Sequence, residues 1–96
     1  MAEERRIPVI KMDGATYEEA INANRDKLSA AIIEAVEFAI ETGASEVEVF
    51  EVEEIDMVFS LAREEMDTAL NGCLDYYESM EEYIKCAKVI KLKTNI

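Results

Sequence analysis

Carboxylates are the side chains in this sequence with the reach to do chemistry. Glu34 and Glu37 stand three apart, as do Glu53 and Asp56, a spacing that puts each pair on one face of a helix. Oxygen ligands offered from two helices are what a hard divalent cation such as Mg²⁺ or Mn²⁺ requires. A second acidic knot, Glu64, Glu65 and Asp67, reads as a solvated helix face, because such residues are seldom buried unpaired. Cys73 and Cys86 fall on or beside an apolar stripe and read as small core side chains in a reducing compartment. With no histidine in the chain, Ser-His-Asp and Cys-His catalysis and His-containing metal sites are excluded. Three glycines supply neither a phosphate-cradling loop nor a dinucleotide fingerprint.

Written out, the two acidic pairs form Glu-x-x-Glu, fifteen intervening residues, then Glu-x-x-Asp. Over Glu34 to Asp56 this resembles the metal-binding signature of the MazG-like, all-α nucleoside triphosphate pyrophosphatases. The resemblance implies Mg²⁺ ions held by Glu34, Glu37, Glu53 and Asp56, activating water against a nucleotide's phosphates. It is the enzymatic alternative. Residues 34 to 82 also carry sixteen carboxylates against one basic residue, Arg63, so acidic pairs three apart arise from composition as well.

The net charge of −12, from 22 acidic and 10 basic residues, opposes contact with nucleic-acid phosphates, which need Lys and Arg to displace counterions. It equally opposes adhesion to anionic membranes. It permits divalent cations, basic partner proteins, or solubility through self-repulsion. No stretch approaches the length of a membrane span, and Met1–Arg6 leads into no signal-type apolar run, so the cytoplasm is the expected compartment. At 96 residues, half of them apolar, the chain is expected to form a single domain, 1–96, with one modest core.

The elements that must position these residues follow from periodicity. Ile7–Met12 reads as a short strand, with Pro8 near its start or on an edge, followed by an Asp13-Gly14 turn. Thr16 and Glu19 make a capping box opening a helix to Thr42, with Gly43 at its left-handed C-terminal position. Glu46–Val52 alternates as a strand, and its apolar phase shifts between Val49 and Phe50, the signature of a bulge or of cover on both faces. From Glu54 to Ala87 apolar residues recur with spacings of four and three, which predicts one long helix running through Asn71-Gly72. Lys88–Thr94 reads as a closing strand. The fold class is therefore α/β: a small β-α-β-α-β domain, its three-stranded sheet in order 1-2-3, two long helices on one face. The acidic middle strand lies between lysine-bearing neighbours.

A helix over 54–87 is about 50 Å long, against a width of about 33 Å for a globule of this size. Its projecting end, with Tyr76, Tyr77, Met80, Tyr83 and Ile84, is expected to form an interface, since Tyr and Met are enriched where helices meet partners. The leading expectation is a non-enzymatic, homo-oligomeric protein-interaction module, a dimer favoured, with no cofactor. Mg²⁺ enters only with the pyrophosphatase alternative. A further alternative is an acidic decoy that docks a basic or nucleic-acid-binding protein.

Overall fold

The structure is a computed structural model describing residues 7–12, 14 and 16–96. Met1–Arg6 and Asp13 of the expected start and first turn lie outside the described residues. The elements run β1 (Val9–Ile10), α1 (Tyr17–Ala23), α2 (Arg25–Thr42), β2 (Glu46–Val52), β3 (Met57–Ala62), α3 (Met66–Ser79) and α4 (Tyr83–Lys93). Single 3₁₀ turns at Glu53–Ile55 and Arg63–Glu65 flank β3. The sheet is three-stranded in the order β1-β2-β3. The α/β class and the strand order are as the sequence predicts.

The first half follows its local signals. The Thr16 hydroxyl accepts the Glu19 amide at 3.2 Å while the Glu19 carboxylate accepts the Thr16 amide at 3.1 Å, satisfying two donors that a helix start leaves orphaned. These bonds hold the Glu19 carboxyl below its ordinary value. The predicted helix is interrupted at Asn24, whose side chain donates to the Ala20 carbonyl at 2.7 Å, an alternative partner that competes with helix continuation. Gly43, at φ 73°, donates back to Ala39 and ends α2. In β2 the phase shift is a bulge: Glu48 pairs Ser60 and Phe50 pairs Phe59, leaving Val49 as the extra residue. The bulge turns Val47, Val49, Phe50 and Val52 all into the core, with Glu46 and Glu48 exposed.

The second half departs from the expectation of one helix over Glu54–Ala87 and a closing strand at Lys88–Thr94. The third strand is Met57–Ala62, folded back on β2 as an antiparallel hairpin, while β1 and β2 pair in parallel. Ile55, Phe59 and Ala62 fit a helical stripe, yet Met57, Phe59 and Leu61 fit strand alternation equally well. In so short an apolar run periodicity alone does not separate the two. Asp56 settles it by adopting the left-handed region at φ 49° and closing the turn on the Glu53 carbonyl, a conformation that short Asp and Asn side chains tolerate. The helical remainder breaks at Glu81, φ 57°, and not at Asn71-Gly72, which α3 spans as expected. Lys88–Thr94 belongs to α4 and its end because Cys86 and Val89 are buried three residues apart, a helical repeat beneath the alternating lysines.

No projecting helix remains: the principal extents are 39 × 38 × 21 Å. Helix α2 packs on β2, α3 on α2, and α4 on α3, around one cluster in which Tyr77, Met66, Leu70 and Val89 are almost fully enclosed.

Candidate functional site

Glu34 and Glu37 do share a face of α2, but what they face is α4. Together with Lys85 and Lys88 they line a cavity of about 420 Å³, and Glu37 pairs Lys88 at 3.5 Å. Glu53 and Asp56 sit in the 3₁₀ turn between β2 and β3, not on an α-helix. The fold therefore does not assemble the four carboxylates. Among the described residues, no group of three or more His, Cys, Asp or Glu is arranged to hold a metal ion. In the other acidic knot, Glu65 accepts the Ala62 amide at 2.9 Å, and Asp67 lies 3.9 Å from Lys93.

The thiols are core groups. Cys73 and Cys86 are both free and buried, on different helices and not on one as the sequence predicts. Cys73 Sγ donates to the Ser29 carbonyl at 3.7 Å. Burial pushes the Cys73 thiol up, and it pushes Cys86 up as well, with Glu78 adding to it. Both are held in the protonated form, which is the unreactive one.

The five aromatic and aliphatic residues expected at an interface divide between interior and surface. Tyr77 is 1% exposed, and burial pushes its phenol up to about 12. It is a core residue because α4 folds back over α3 where a straight helix would have carried it into solvent. Tyr76 is half-buried, with the Arg25 guanidinium 5.6 Å above its ring centre. Met80, Tyr83 and Ile84 remain bare, Ile84 at 90% exposure. Ile90 joins them on α4, half exposed. Tyr83, Ala87 and Ile90 fall four and three residues apart, so they line one side of the helix with Ile84 beside them.

Compared with known proteins, the chain matches no family model, no curated protein and no solved structure.

Two features escaped the sequence reading. Ile90 was hidden by the alternation of Lys88–Thr94. Arg63, the lone base of the acidic stretch, donates from Nη1 to the carbonyls of Ala39 and Ala44 at 3.0 Å each. A cation there meets the negative end of the α2 dipole and ties the end of β3 to α2. The available signal was a single Arg in a carboxylate run; its place at the end of α2, about twenty residues back in the chain, depends on the hairpin.

Proposed function

We propose that the chain is a non-enzymatic protein-contact module that works as a homo-oligomer, a dimer favoured, through the corner where α3 meets α4. The observation that carries this reading is the bare apolar surface of Met80, Tyr83, Ile84 and Ile90. Fully burying one aliphatic side chain contributes about 1.5–3 kcal/mol, so four partly exposed side chains on each of two copies supply an amount of the same order as the cost of association. A two-fold contact brings the same patch from both copies together. Antiparallel packing of α4 on its counterpart sets the basic end, with Lys91 and Lys93, beside the partner's acidic Glu81 and Glu82. That arrangement aligns charge and helix dipoles favourably.

Static light scattering over a dilution series tests the reading. Twice the mass of one chain is expected at micromolar concentration. A single-chain mass across the whole series contradicts it.

A further inference from the structure

The two edges of the sheet are not alike. β1 pairs over only two residues, whereas β3 presents a six-residue edge, Met-Val-Phe-Ser-Leu-Ala, without charge or proline. Natural edges are usually blunted by one or the other. The Arg63 amide donates to the Ser45 carbonyl at 2.8 Å. Ladder alternation then turns the amides and carbonyls of Leu61 and Phe59 toward β2, and those of Ser60 and Val58 outward. The next outward amide, Ala62, is taken by Glu65 at 2.9 Å, which marks where the open edge stops. On the helix side of β3, Phe59 and Ala69 wall two cavities. One of about 360 Å³ is mainly apolar, with Ile21, Ile32 and Phe50 among its lining and Arg25 on its wall; the other, about 420 Å³, is rimmed by Glu64 and Glu65.

From this edge we infer a docking site for an extended peptide segment of a partner protein, added as a fourth strand, with apolar side chains at alternate positions and Lys or Arg between and around them. Val58 and Ser60 supply the main-chain hydrogen bonds, and alternate side chains of the segment enter the cavities beside Phe59. Charge selects the occupant. Exposed Glu53 and Asp56 stand at one end of β3 and exposed Glu64 and Glu65 at the other. A second copy laid antiparallel along the edge would bring one acidic end against the other, and a parallel copy would match each end with itself. Like charges across neighbouring strands are repulsive, so both self-pairings are disfavoured and a basic segment is favoured. The assignment rests on the protein-contact reading but uses a surface separate from the α3–α4 corner.

The probe is a fluorescein-labelled peptide of alternating lysine and valine, followed by fluorescence anisotropy, with the glutamate-for-lysine peptide as control. The lysine peptide binds and the glutamate peptide does not. Binding weakens about tenfold between roughly 0.05 and 0.3 M salt as exposed charges are screened. Ser60→Pro removes an outward amide without touching the ladder to β2, a substitution that edge strands tolerate. It abolishes peptide binding while the circular dichroism spectrum stays native, and Val58→Pro does the same. Ile84→Glu dissociates the oligomer yet leaves the peptide affinity unchanged, so failure of the corner and failure of the edge are separable. The assignment is overturned if the lysine peptide does not bind, or if it binds Ser60→Pro as well as the unaltered protein. It is equally overturned if Ser60→Pro halves the particle mass, which would make a second copy the occupant.

Discussion

The α3–α4 corner and the β3 edge are both open surfaces, and they offer opposite kinds of contact. At the corner Met80, Tyr83, Ile84 and Ile90 present mainly apolar area, on the end of α3 and along α4. Such a surface is non-directional, because its driving force is area removed from water. The edge presents backbone donors and acceptors in fixed register between acidic ends, a directional and salt-sensitive surface. One domain thus separates a contact suited to self-association from one suited to reading a basic strand. The net charge of −12 draws a basic strand to the edge and opposes the approach of a second copy at the corner, an opposition that salt screens.

The largest expected effect comes from placing the same substitution on either side of the corner's boundary. Tyr77→Glu puts an unpaired carboxylate into the core, at a cost of about 3–5 kcal/mol or more, a large share of the stability of a domain this size. It should unfold the chain in circular dichroism. Ile84→Glu, at a position 90% exposed, should leave the melting curve nearly unchanged and weaken self-association by about a hundredfold, the loss of one well-buried side chain and the addition of a charge. Dissociation without unfolding in Tyr77→Glu would move the boundary of the corner inward.

Why the corner was half legible is instructive. The stripe through Tyr76, Tyr77, Met80, Tyr83 and Ile84 is in the sequence, but its division into core and surface depends on the reversal at Glu81. A non-glycine residue at positive φ is held by its surroundings and carries no composition signal. The caps at Thr16 and Gly43 and the Val49 bulge were legible because each rests on residues within a few positions. β3 was not, since the hairpin depends on pairing with β2, and its short apolar run suits either period. Charge anticipates β2 at the centre, although the lysines of the expected closing strand, Lys88, Lys91 and Lys93, stand on α4, where Lys88 reaches Glu37 across helices. The carboxylate quartet failed with the long helix, because Glu53 and Asp56 became a turn.

Arg63 sharpens the contrast from the edge side. Arg63→Met leaves the half-buried carbonyls of Ala39 and Ala44 without their donor, and a lowering of stability by about 2 kcal/mol is expected in urea denaturation. It should also loosen the end of β3 and weaken the peptide contact, while the self-association constant stays as it was.

The smallest effect is a pH dependence beneath the corner. The Tyr77 phenol ionises near its ordinary value of 10.0 in the unfolded chain and at about 12 in the fold. Between those values the unfolded chain releases its proton first, so this contribution is intact below pH 10 and is lost as pH rises toward 12. Thermal melts of Tyr77→Phe should decline less steeply over that interval than those of the unaltered protein. Equal slopes would mean that the phenol is hydrated in the fold.

Sedimentation equilibrium of the unaltered protein, Ile84→Glu and Ser60→Pro, run side by side, tests the division of labour most directly. A dimer for the unaltered protein and for Ser60→Pro, with a monomer for Ile84→Glu, is the predicted result. A dimer in Ile84→Glu that falls apart in Ser60→Pro, or a monomer in all three, would contradict it.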